Sequence, residues 1–369
     1  MNILGFNPSH HGSVCLLQDG ELKHFIQEER IGNREKYSML PFRSFIDILQ
    51  NYKIDYITCS TPSMTYNSSS TSTFPYWLAL AEKYHPKVRF IDLSQHHHLI
   101  HSTHSFYNSG FKEAIGVVID GAGSGFRKDN TVFHETESLY YCSYPNKFEI
   151  LSKNVTPVKM KINLSRVYET VTMHLGWNRN EAGKTMGLAS YGKFNKDLPP
   201  LFSNYPKGDS GVMFYAETKT TYLPDYSGTF INEKKHPRLK LQIDPREWHY
   251  NESKITDLEK DLAWKVQNDI QQLVGDYIET AIQQTGLKQA CCAGGYFLNC
   301  VTNYYLQKRF PDIEFYFEPI ANDAGTAIGA AKSVWYKLTK DATIRPFKSL
   351  YLGKQYSKEE LLEGIKKYT

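Results

Sequence analysis

The six cysteines, Cys15, Cys59, Cys142, Cys291, Cys292 and Cys300, include no C-x-x-C pair, which argues against both a disulfide framework and a zinc ribbon. No apolar run nears the roughly 18 residues of a membrane helix, and no charged leader precedes the apolar segment after Met1. No membrane contact is therefore expected, and a cytoplasmic location is the default. Neither charge sign dominates, with 43 Lys and Arg against 39 Asp and Glu. The stretch Lys234 to Arg246 (KKHPRLKLQIDPR) permits anionic ligands such as nucleotides, but it is sparser than the basic stripe of a nucleic-acid binder. What is there is a globular composition, 41% hydrophobic, spread over 369 residues. That length exceeds what one core usually supports, so two packed lobes are expected.

Asn2 to Phe6, Val14 to Leu17 and Leu22 to Gln27 read as strands, with Asp19-Gly20 as a hairpin turn between apolar runs. A helix over Pro41 to Gln50, a strand over Tyr56 to Cys59, and a Ser/Thr-rich excursion from Ser60 to Thr73 follow. A helix around Trp77 to Tyr84 and a strand at Val88 to Ile91 lead to a His-rich segment. The run Ala114 to Ile119 then opens a second set of glycine-turned strands, at Thr131 to Glu135 and Leu139 to Ser143. Hairpins at the start of each half suggest two related lobes. Residues 196–255 lack periodicity and read as an insertion. Thr256-Asp-Leu-Glu259 is a capping box opening a long helix that ends at Gly286. Strands at Gln289 to Ala293 and Glu314 to Phe317 and a helix over Ala324 to Leu338 complete the pattern. The expected division is a first lobe over 1–110, a second over 111–340, and a linker into a further domain over 341–369.

The segment QHHHLIHSTHSF holds His96, His97, His98, His101 and His104. On a helix His97 and His101 lie one turn apart on the same face, where two imidazoles can share a metal. A hydrogen-bonding or anion-binding cluster is the other reading. Two imidazoles with a carboxylate and open positions suit Fe(II) or another divalent transition metal better than magnesium. Asp120 ends an apolar strand and opens DGAGSGF, where Gly121 and Gly123 can expose backbone N–H groups to a phosphate and the carboxylate can bind metal. Asp323 introduces ANDAGTAIGAA, either as a third ligand or as a plain N-cap. Gly294 and Gly295 allow backbone to lie against a flat or phosphorylated ligand, and Asn299 is placed to read a ribose or base edge. Gly183 and Lys184, in GKTMGLASYG, offer a lysine among glycines that could clamp an anion, although the spacing is not that of a P-loop.

Taken together, ILGFNPSHHGSV, HHLIHSTHSF, VVIDGAGS, GKTMGLASYGK, AGGYFLNCVTN and EPIANDAGTAIGAA resemble, in order, the O-carbamoyltransferase family that modifies antibiotics and nodulation factors. The resemblance covers nearly the whole chain to about residue 335. It implies an α/β, actin-like fold of two lobes around a ligand cleft, similar to the universal tRNA threonylcarbamoyl-transferase subunit. It implies that carbamoyl phosphate and ATP give carbamoyladenylate on a separate domain, and that the carbamoyl group then passes to a hydroxyl acceptor here. By motif position the metal, commonly iron, falls to His97, His101 and Asp323, with Asp120 at or near it. Gly294, Gly295 and Asn299 map to the adenylate-binding turn, and Lys184 lies in the matching glycine-rich loop.

One departure concerns the base. Many members carry Asp after the first-turn His, whereas here His11 is followed by Gly12, so His10 or His11 takes the role or the base lies elsewhere. The other departure is at RPFKSLYLGKQYSKEELLEGIKKYT, which resembles the junction into the family's second domain. A truncated chain, a partner chain, or use of preformed adenylate would each account for it. Two further classes stay open: an ATPase or small-molecule kinase with Asp120 or Glu29 as base and Mg²⁺, and a nucleotide-binding scaffold that needs a partner.

Overall fold

The computed structural model describes residues 1–31, 40–60, 73–128, 131–157, 163–198, 201, 255–352 and 356–368. The Ser/Thr-rich excursion and the 196–255 insertion lie outside the described residues except at their ends.

Two sheets form the frame. In the first, β1 (Asn2–Asn7), β2 (Ser13–Gln18) and β3 (Glu21–Gln27) make an antiparallel meander, and β4 (Tyr56–Cys59) and β5 (Arg89–Asp92) extend it in parallel. The order is β3-β2-β1-β4-β5. The second contains β6 (Glu113–Ile119), β7 (Gly125–Lys128), β8 (Thr131–Ser143), β9 (Lys147–Pro157), β10 (Gln289–Ala293) and β11 (Glu314–Phe317). Its order is β11-β10-β6-β8-β7, with β9 also on β8. Strands β6, β8, β9, β10 and β11 repeat the plan of β1 to β5: the first strand is central, an antiparallel hairpin flanks one side, and two parallel strands flank the other. This is the two-lobed, actin-like α/β architecture.

Apolar strand faces dictate the layers. The short turn α1 (Glu28–Ile31) leads on from β3, and its buried Glu28 accepts from the Arg43 and Ser44 backbone N–H groups at the start of α2 (Phe42–Asn51). With α3 (Thr73–Tyr84), α2 covers the outer face of the first sheet, where Phe6, Leu16, Phe45, Ile48 and Trp77 are fully or almost fully buried. The second sheet's outer face lies under α5 (Leu164–His174) and α7 (Asp257–Thr285), through Val117, Leu139, Val171, Val266 and Ile270. Between the sheets run α4 (His97–Ser109) and α9 (Thr326–Thr339). The two helices are exchanged: α4 follows the first sheet but packs on β6 and β10, and α9 follows the second but packs on β1 and β2. Small residues permit this closeness, since a Cβ on Gly329 would stand 2.4 Å from the Ile100 carbonyl oxygen and one on Gly5 2.1 Å from that of Ala327. The remaining helices are α6 (Ala182–Ala189), α8 (Cys300–Arg309) and α10 (Lys358–Tyr368). No described helix is long and apolar enough to cross a membrane.

Candidate metal centre

The exchanged helices bring their N-termini together. His97 and His101 project from the first turns of α4, Asp120 follows β6, and Asp323 opens the short 3-10 turn that feeds α9. One donor atom from each of the four side chains lies within 4.8 Å of the other three, and all four residues are buried. His97 Nε2 is 3.2 Å from His101 Nε2, 3.2 Å from Asp120 Oδ2 and 3.6 Å from Asp323 Oδ1, while His101 Nε2 is 3.4 Å from Asp323 Oδ1. Converging ring nitrogens are poor partners for each other, because at most one can donate while the second accepts. Two imidazoles and two carboxylates make a donor set that fits a divalent first-row transition ion.

Surrounding groups hold the four in place. His97 Nδ1 faces the Ser60 carbonyl at 3.4 Å, which leaves Nε2 as the nitrogen turned toward the other three side chains. Ser124 Oγ accepts from the His97 backbone N–H at 3.1 Å, and Glu135 Oε2 accepts from the N–H groups of His98 and Ser124. Those acceptors cap α4, which has no cap from its own chain end. Asp120 Oδ1 accepts from the Gly295 N–H at 3.3 Å.

The electrostatics run against burial. Desolvation alone would depress the His97 imidazole, but the charge of Asp323 and the hydrogen bond to Asp120 raise it to about 9. Burial alone would raise Asp120 and Asp323, yet His97 brings both below the usual carboxylate range. A proton on His97 therefore occupies the place that a cation would take.

His10 adjoins the quartet, with Nε2 3.2 Å from Asp323 Oδ2 and its side chain half exposed. His11, at φ +60°, is lowered by burial and then by His10, which favours the neutral imidazole. Both sit in the β1–β2 turn, which Asn7 Nδ2 ties to the Asp323 carbonyl at 3.1 Å and Ser13 Oγ ties to the Ala324 carbonyl at 2.7 Å.

Other expected site residues are placed differently. The segment around Gly183 and Lys184 is not a glycine loop; both lie on α6, and the half-exposed Lys184 ammonium pairs with Glu181 at 2.8 Å. The Gly123 N–H donates to the Glu135 carbonyl at 2.8 Å, so it is not left open for a phosphate, and a Cβ there would stand 2.6 Å from the His98 ring. The Gly121 carbonyl accepts from Asn163 Nδ2 at 2.9 Å. Gly294, at φ +98°, brings the turn after β10 against the end of β6. Asn299 caps α8 by accepting from the Thr302 N–H at 3.0 Å and exchanges hydrogen bonds with Gln267, which commits most of its amide within the fold. The sequence reading passed over Ser124, Glu135 and the whole of α5. Helix α5 was detectable, since Asn163 is an N-cap type and Leu164, Val167, Tyr168 and Val171 follow at helical spacing.

Comparison with known proteins places this geometry in a family. Residues 68–332 match the model described as carbamoyltransferase N-terminus. The nodulation protein NolNO of Sinorhizobium fredii is 24% identical over 375 residues, covering 96% of this chain and 50% of its own length. An uncharacterised Synechocystis protein is 26% identical over 408 residues, covering 99% of this chain and 62% of its own length. The chain thus spans about half to three fifths of these relatives. In fold it is similar to HypF of T. kodakarensis, with a TM-score of 0.53 at 14% identity over 92% of this chain and 48% of that one. With a family match that extends over most of the sequence and spans all four quartet residues, the chain belongs to the carbamoyltransferase N-terminus family.

Proposed function

We propose that this chain carries the transfer site of an O-carbamoyltransferase, which moves a carbamoyl group from carbamoyladenylate to a hydroxyl acceptor. The adenylate would be made from carbamoyl phosphate and ATP by a separate domain or chain. The observation that carries this reading is the buried His97, His101, Asp120 and Asp323 quartet within a chain of this family.

A divalent ion, Fe(II) by donor set, would supply positive charge to the phosphate of the leaving group. The chain's own residues do the remainder. His10 steadies the second oxygen of Asp323, and the Gly295 N–H fixes Asp120. His11, favoured in its neutral form, can take the acceptor's hydroxyl proton as the new bond forms. Burial of the four side chains limits water that would otherwise hydrolyse the mixed anhydride.

The test is AMP release from carbamoyladenylate in the presence of a hydroxyl acceptor, with carbamoylated product identified by mass spectrometry. Both are expected to disappear in His97→Ala. Phosphorylated acceptor, or AMP release that persists in the variant, would contradict the proposal.

A further inference from the structure

Charge is not balanced by the quartet alone. Two carboxylates cancel a divalent ion, so the centre is neutral before any phosphate arrives. The adenylate phosphate brings one negative charge, and AMP gains a second as it leaves. A low-exposure site needs a further cation near that phosphate.

Arg166, on the first turn of α5, lies over the residue that follows Asp120. A Cβ on Gly121 would stand 3.5 Å from Glu169 Oε1, 3.7 Å from the Arg166 guanidinium carbon and 3.8 Å from its Nη2, so the guanidinium and the carboxylate it pairs with both face this turn. Asn163 fixes this approach: its Oδ1 accepts from the Arg166 N–H at 2.8 Å and its Nδ2 donates to the Gly121 carbonyl at 2.9 Å. Arg166 Nη1 pairs with Glu169 at 2.6 Å, and Arg179 Nε lies 3.9 Å from the same carboxylate. One carboxylate between two guanidiniums leaves a net positive charge, and Glu169 is the one side chain that the Arg166 guanidinium bonds among the described residues.

His134 on β8 is a second, independent sign of a ligand. It is 5% exposed, and its Nε2 has no hydrogen-bond partner among the described residues. Burial first and then the charge of Arg166 lower its imidazole to about 4, against the opposing charge of Asp120, so the ring is neutral and can serve an anion only as a hydrogen-bond donor. A buried ring nitrogen without a partner among the described residues is costly unless something binds there.

We propose that Arg166, flanked by Arg179 and His134, forms an anion subsite beside the quartet for a phosphate monoester, here the phosphate of AMP. The proposal rests on the carbamoyl-transfer reading above. In the transfer step the acceptor oxygen bonds to the carbamoyl carbon, and the bond from that carbon to the phosphate oxygen breaks. Its electron pair stays on AMP, and the hydroxyl proton passes to a base and on to solvent. Arg166 stabilises the charge that AMP gains.

The test is calorimetric titration of the full chain, loaded with Fe(II) under anaerobic conditions, with AMP and separately with adenosine. Arg166→Gln is expected to weaken AMP binding by roughly 10- to 100-fold, as for loss of a charge-assisted contact, with adenosine affinity and bound iron unchanged. Arg166→Lys keeps the charge and loses the planar fork, so a loss of roughly 3- to 10-fold for AMP alone is expected. If Arg166→Gln does not fold, the lysine variant decides. Equal AMP affinity in the variant and the parent, or parallel loss of AMP and adenosine, would overturn the subsite while leaving the transfer reading intact. A parent chain that binds AMP no better than adenosine would overturn both.

Discussion

Replacing Gly294 with alanine puts a methyl group where two kinds of resistance meet. The backbone there has φ +98° and ψ 153°, a region that side-chain-bearing residues enter at a cost of about 1–3 kcal/mol. The new Cβ would also stand 2.2 Å from the Ile119 carbonyl oxygen and 2.8 Å from its carbon, so main chain rather than a flexible side chain must yield. Overpacking of this sort adds about 1–3 kcal/mol, for a total of roughly 2–6 kcal/mol. The strand end that has to move is one residue from Asp120, whose Oδ2 sits 3.2 Å from His97 Nε2. Gly294→Ala should therefore lower both the urea midpoint and metal affinity, the latter about 10- to 100-fold, the range seen when support of a metal ligand is lost. Gly187→Ala in α6 is the control, because no described residue lies within 4 Å of its Cβ position. That change should be neutral or stabilise by up to about 1 kcal/mol. A Gly294→Ala chain as stable as the parent and binding metal equally well would refute the reasoning.

Metal affinity should depend on pH with a definite sign. In the metal-free chain His97 is raised from 6.5 to about 9, so its contribution to stability is complete below pH 6.5 and is lost as pH rises through about 9. Metal needs the neutral ring, so apparent affinity should climb about tenfold per pH unit between those values and then level off. A competition titration showing a flat profile would contradict this. Asn299→Ala should destabilise the chain by about 1–3 kcal/mol in urea, through loss of the α8 cap and the Gln267 pairing. If instead stability holds and adenosine affinity falls, Asn299 reads the ligand.

Much of this was legible because local and global signals agreed. β10 and β11 each end with their apolar run and begin one polar residue before it, and the capping box at Thr256 marks the start of α7. His97 and His101 are brought together by helical spacing alone, whereas their meeting with Asp120 and Asp323 depends on the exchange of α4 and α9 between the sheets. The sequence predicts two strands where β8 is one, because Thr136, Glu137 and Ser138, after Glu135, interrupt its apolar pattern. Those polar residues are buried for tertiary reasons: Glu135 caps α4, and Glu137 Oε1 accepts from the Leu164 N–H at the start of α5 at 3.2 Å. No local rule expects two carboxylates inside a strand to serve helices distant in sequence. In α6, Gly183 and Gly187 pointed to a loop, but packing of α6 against α7 keeps the segment helical.

The central claim is that His97, His101, Asp120 and Asp323 act together as one metal site, and metal content tests it most directly. The full chain should be incubated with excess Fe(II) under anaerobic conditions, desalted and analysed by elemental mass spectrometry alongside folded His97→Ala and Asp323→Ala chains. About one ion per parent chain is expected, with most of it lost in each variant. A parent chain without stoichiometric iron or another divalent transition ion, or variants that retain it, would contradict the account.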